Sequence, residues 1–104
     1  MENFKIKILS QIFEVEEMHY AEKEELYFGE IEFDRNRILI SKDISKERKE
    51  VTLLHEILHS VFQQLGFKKE NDNEHLICSL SEALIMVIKD NPKLLTFLVW
   101  FSLR

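Results

Sequence analysis

The sequence predicts an α+β fold, a small antiparallel sheet followed by three helices, in a single domain spanning residues 1–104. Two spacings predict it. Up to Ser41 apolar residues recur at every second position, and beyond Ser45 they recur at every third or fourth. The first spacing turns one face of a strand toward a core, and the second does the same for one side of a helix. Composition sets the bound: 104 residues with 45% hydrophobic and 32% charged side chains make one ordinary globular domain.

The strands come first. Phe4, Ile6 and Ile8 alternate with Lys5 and Lys7, and Phe13 and Val15 with Glu14 and Glu16. Ile31 and Phe33 alternate with Glu30 and Glu32, and Ile38 and Ile40 flank Leu39. One buried and one wet face is the habit of antiparallel sheets. Ser10-Gln11 suits a turn between the first two strands, and Asp34-Arg35-Asn36-Arg37 one between the last two. The acidic stretch from Glu16 to Leu26 reads equally as a loop or a short helix.

The helices follow. Val51, Leu54, Leu58, Val61, Phe62 and Leu65 form an apolar stripe, with Ser45 as N-cap, Glu47 in the first turn and Gly66 as the stop. The polar stretch Lys68 to Asn73 reads as a loop. Leu76, Ile77, Leu80, Leu84, Val87 and Ile88 mark a second helix, which Asp90-Asn91-Pro92 ends, and the proline opens a third. Leu94 to Phe101 is apolar on nearly every side, so it must bury more than one face. It either docks on the sheet or first helix, or forms a homodimer or partner contact.

Several classes drop out. Two Gly and one Pro exclude a long-loop, collagen-like or Pro-rich chain, and one Cys excludes an internal disulfide. A net charge of −5 argues against nucleic acid as a partner. No apolar run reaches the roughly 20 residues of a membrane span, and the start Met1-Glu2-Asn3-Phe4-Lys5 lacks the pattern of a signal peptide. The expected location is the cytoplasm.

The first helix carries His55-Glu56-Ile57-Leu58-His59. Two histidines four apart stand one above the other on a helix, so their imidazoles can converge on one metal ion. Glu56 lies on a neighbouring face, within reach of a zinc-bound water that it can deprotonate. A chance match in a chain of this length has a probability on the order of a few per thousand. A catalytic zinc takes three protein ligands. Candidates for the third are Asp72, Glu74, His75 and Glu82, at or beyond the start of the second helix. Glu74 is preferred and His75 is the runner-up. Glu74 has a competing reading, because Asn71-x-x-Glu74 also has the form of a capping box.

Thr52-Leu53-Leu54-His55-Glu56-Ile57-Leu58-His59, then Asn73-Glu74, then Leu80-Ser81, resembles the ImmA/IrrE-type metallopeptidases, most closely their short stand-alone phage and prophage forms. The resemblance runs from Gly29 to Leu95. It implies a zincin-like fold and a zinc-dependent endopeptidase, with His55 and His59 as ligands, Glu56 as base and a downstream Glu as third ligand. It also implies a protein or peptide substrate, by analogy a repressor of mobile-element genes. The chain departs from larger members in two ways. Their Glu-Ala…Phe-Ala pattern is replaced by Glu74-His75-Leu76-Ile77-Cys78-Ser79-Leu80-Ser81, and no helix-turn-helix is present.

Other residues read more plainly. Cys78 lies between apolar positions and is expected in the core. His19, Tyr20 and Tyr27 read as surface or rim residues, although one of them could support an oxyanion. The strand Arg37 to Ser41 just precedes the motif helix, and if it is an edge strand a peptide could pair with it. The expected function is zinc-dependent peptide hydrolysis. The rivals are a metal-binding interaction module docking through its apolar C-terminus and a non-peptidase zinc hydrolase.

Overall fold

A computed structural model describes residues 2–19 and 28–102. Strands β1 (Phe4–Ile8) and β2 (Gln11–Met18) form an antiparallel hairpin, with Phe4 opposite Val15 and Ile8 opposite Gln11. The turn between them is Leu9-Ser10, one residue earlier than expected, and Leu9 takes a left-handed φ of 54°. Strands β3 (Gly29–Glu32) and β4 (Arg37–Ser41) form a second antiparallel pair. In their turn Asn36 sits at φ 50°, a conformation asparagine tolerates, and its amide donates to the Ile12 carbonyl at 3.1 Å. Tyr20 and Tyr27, and most of the ambiguous acidic stretch, lie outside the described residues; Glu16 and Glu17 belong to β2 and His19 follows it.

The sheet order is β1-β2-β4-β3. β4 therefore runs beside β2, and this pair is parallel, with Val15 opposite Ile38. The sheet is mixed, which corrects the all-antiparallel expectation. Alternation reports which way side chains face and says nothing of strand direction. The order also removes the condition under which a peptide could pair with Arg37–Ser41: β4 is interior, and β1 and β3 take the edges. Ile38, Leu39 and Ile40 are all buried, as an interior strand covered on both faces requires. Arg37 donates to Glu32 at 2.8 Å and to Glu16 at 3.3 Å, linking three strands.

Helix α1 (Lys46–Leu65) crosses one face of this sheet. Leu53, Ile57 and Val61, at four-residue steps, pack on a core of Ile8, Phe13, Val15, Ile38 and Ile40. This contact line differs from the predicted stripe, because α1 is covered on two sides. A second line, Thr52, Glu56 and Ser60, is buried despite its polarity. Ser45 caps the helix by accepting from the Arg48 amide, and Gly66 ends it at φ 81°. Gln64 ties its C-terminal end to the hairpin, donating to the Ile8 carbonyl at 2.8 Å and accepting from Ser10.

A four-residue helix, α2 (Lys68–Asn71), stands where a loop was expected. Its short turn reverses the chain into α3 (Glu74–Asp90), which packs along α1 and buries Ile77 and Ser81. α4 (Pro92–Ser102) packs on α3 and on neither the sheet nor α1 among the described residues. Leu95, Phe97, Leu98, Val99 and Trp100 remain half exposed or more, so docking on the sheet or first helix does not occur. No helix among the described residues is long and apolar enough to cross a membrane.

One glycine sets how closely the sheet edge approaches α1. A Cβ on Gly29 would lie 2.6 Å from the Thr52 γ-methyl and 2.7 Å from the Leu39 carbonyl oxygen. Gly29→Ala must therefore push β3 off its neighbours, and overpacking of this kind costs roughly 1–3 kcal/mol. Urea denaturation is expected to show that loss, and a Gly29→Ala variant as stable as the wild type would refute the close contact.

Candidate metal centre

α1 is a regular helix through its middle, so His55 and His59 stack one turn apart, with ring centroids 4.8 Å apart. Their Nε2 atoms are separated by 3.2 Å. The third group arrives from α3. Glu74 is the first residue of that helix, and its carboxylate oxygens lie 3.3 Å from His55 Nε2 and 2.8 Å from His59 Nε2. Three side chains from two helices thus converge, two imidazole nitrogens and one carboxylate.

The capping-box reading of Glu74 fails. Asn73, not Asn71, caps α3, accepting from the Leu76 amide at 3.0 Å. Glu74 is then free of the role of back-bonding to a cap and turns to the imidazoles. Of the other candidates, only Glu82 borders the same cavity as His55 and Glu56. His75 and Asp72 are exposed and, among the described residues, belong to neither of the two sets whose donor atoms converge, His55, Glu56 and His59 or His55, Glu74 and Cys78. Glu82 is 3.8 Å from Arg48.

Two residues that the sequence reading assigned otherwise flank the imidazoles. Asn71, at the end of α2, places its side-chain oxygen 2.7 Å from His59 Nδ1. Cys78, one turn beyond Glu74, is exposed rather than in the core, and its Sγ lies 3.7 Å from His55 Nδ1. Neither contact has a spacing signature of its own. The only hint is that a link of a few residues between Gly66 and Glu74 must keep everything in it close to α1.

Burial tunes the charges. Desolvation, aided by the nearby His59, lowers the His55 pKa against the pull of Glu74. His55 is therefore a neutral imidazole, the form that can donate a lone pair to a metal. Glu56 is only 5% exposed, and burial pushes its carboxyl up to about 7. His59 opposes that rise, while Glu74 and Glu30 add to it. Partial desolvation and the carboxylates of Glu74 and Glu82 push the Cys78 thiol up, so it stays protonated and is a weak partner for His55.

His55, Glu56 and His59 bring their donor atoms within 4.8 Å of one another, a group able to hold a metal ion. Glu56 is the most buried of the three, and Glu74 approaches the two histidines closely from the other helix. Beside them opens a cavity of about 280 Å³, bounded by Phe28, Gly29, Val51, Thr52, Glu56 and Ser81. Its floor is the line along which edge strand β3 meets α1. His19, the one rim candidate within the described residues, pairs with Asp43 at 3.3 Å.

Comparison of the chain with protein-family models, curated proteins and solved structures finds no match.

Which residues hold a metal is directly testable. If Glu74 is one of three ligands, Glu74→Ala is expected to weaken zinc binding by roughly two orders of magnitude or more. His75→Ala should leave affinity unchanged. Competition with a chromophoric chelator measures both, and equal affinities in the two variants would remove Glu74 from the site.

Proposed function

We propose that this chain is a zinc-dependent metallopeptidase, with His55, His59 and Glu74 as metal ligands and Glu56 as general base. One observation carries the reading: the two Nε2 atoms lie 3.2 Å apart, and one carboxylate oxygen of Glu74 stands 3.3 Å from His55 Nε2 while the other stands 2.8 Å from His59 Nε2. Ligands at about 2.0–2.1 Å from a tetrahedral zinc are spaced about 3.3 Å apart, so the set fits an ion of that size with little movement. Two nitrogens and one carboxylate oxygen also match the donor chemistry of a catalytic rather than a structural zinc, which leaves a position for water or substrate. Zinc held there would supply Lewis acidity and lower the pKa of its water toward neutrality.

The chain's own residues do the rest. Glu56 follows His55 directly, is shielded from solvent and borders the cavity. A carboxyl held near 7 can take a proton at neutral pH and return it to a leaving amine, because neither protonation state is strongly favoured. Phe28, Val51 and Thr52 line the cavity beside Glu56. β3, not β4, is the strand placed to pair with an extended peptide, since it is an edge strand and Gly29 lies in the cavity wall. The resemblance to ImmA/IrrE-type enzymes points the same way and suggests a protein substrate, a repressor among the options.

A second reading has its own observation. The exposed apolar side chains of α4, Leu95 and Val99 among them, suit a metal-binding interaction module that docks on a second copy or a partner. The two readings separate on one variant. Glu56→Gln keeps the shape and burial of the side chain but cannot accept the proton. It is expected to retain zinc and lose roughly 10²–10⁴-fold in hydrolysis of an unfolded protein substrate. Hydrolysis that persists at wild-type rate in Glu56→Gln would overturn the peptidase mechanism.

A further inference from the structure

We infer that Asn71 is a positioning residue that selects the tautomer of His59. The inference rests on the reading of His55, His59 and Glu74 as metal ligands. The Asn71 side-chain oxygen sits 2.7 Å from His59 Nδ1, in a part-buried contact. An amide oxygen only accepts, so Nδ1 carries the proton. A neutral imidazole has one such proton, and Nε2 is left with a bare lone pair. Nε2 is the atom that faces Glu74 and His55.

The alternative tautomer shows what Asn71 prevents. With the proton on Nε2, His59 would donate to Glu74 Oε1, which lies at 2.8 Å. That hydrogen bond would occupy two of the three ligands at once, and metal binding would first have to break it. Asn71 removes the donor from that pair. It leaves the His59 Nε2 lone pair facing the Glu74 carboxylate, an arrangement that a cation or an added proton relieves.

The backbone fixes Asn71 for this role. Its amide donates to the Phe67 carbonyl at 2.9 Å, and the Phe67 amide donates to Phe62 at 2.9 Å, across the left-handed Gly66. The Phe62 and Phe67 rings meet edge to face at 6.2 Å and hold this corner on α1. α2 thus has a function despite its length: it delivers an acceptor to the back of one ligand and, three residues on, the third ligand to its front. Among the described residues His55 has no equal of it, since a thiol sulfur at 3.7 Å is a weak acceptor.

The test needs no catalysis. Two-bond ¹H–¹⁵N correlation spectra of zinc-free protein, at a pH where imidazoles are neutral, report each histidine tautomer. Wild-type His59 is expected as the Nδ1–H form, and Asn71→Ala should shift the proton toward Nε2. Zinc affinity, read by chelator competition, should fall roughly 10–100-fold in Asn71→Ala. Asn71→Asp, whose carboxylate still accepts, should restore most of it. A wild-type His59 protonated at Nε2 overturns the inference without any variant, as does Asn71→Ala binding zinc as tightly as wild type. Wild-type protein with no zinc affinity would instead overturn the metal-centre reading on which the inference rests.

Discussion

Helix α1 is held on two sides, and the site depends on that double grip. Leu53, Ile57 and Val61 seat it on the sheet, and α3 covers its opposite flank. Between these contacts runs the buried line Thr52, Glu56 and Ser60. A polar line is costly in such a place unless each group is satisfied or useful. Ser60 is satisfied by accepting from Gln64 at 2.9 Å. Thr52 turns its methyl toward Gly29, where only a glycine leaves room. Glu56 is the member that burial perturbs, and it lies next to the two imidazoles.

That perturbation follows from position along one helix. A 3.6-residue turn puts His55 and His59 on the half-buried flank and swings Glu56 inward by about one hundred degrees. The same desolvation then acts on both groups, moving their pKa values in opposite directions and disfavouring the charged form of each. It keeps His55 uncharged and holds the Glu56 carboxyl near neutrality. The imidazole and the carboxyl thus reach these protonation states chiefly from one cause, burial.

The parts of this architecture that were readable are those governed by local periodicity. The motif pair, the cap at Ser45 and the stop at Gly66 all depend on neighbours within one turn, and all stand as read. Sheet direction depends on how a chain returns after β2, and alternation carries no such information. One clue was there: Ile38-Leu39-Ile40 is an unbroken apolar run, the pattern of a strand buried on both faces, and it already argued against an edge. Cys78 was placed in the core because its neighbours are apolar, but α3 buries chiefly the side that carries Ile77 and Ser81. A residue one position away on a helix points elsewhere.

The corner between α1 and α3 was the hardest part to read, for a reason that is physical. Asn71 and Asn73 have the same cap chemistry, and both precede Glu74. Which of them caps is decided by the backbone path after Gly66, and the extra turn of α2 makes it Asn73. That turn advances the chain so that Asn71 meets His59 instead. Had the chain passed directly from Gly66 into a cap at Asn71, Glu74 would sit at the capping-box position and its carboxylate would bond back to the Asn71 amide. That amide is instead consumed by Phe67. A single helical turn therefore converts a would-be capping pair into an imidazole acceptor and a candidate ligand, and the α1–α3 packing closes the two onto the same histidine.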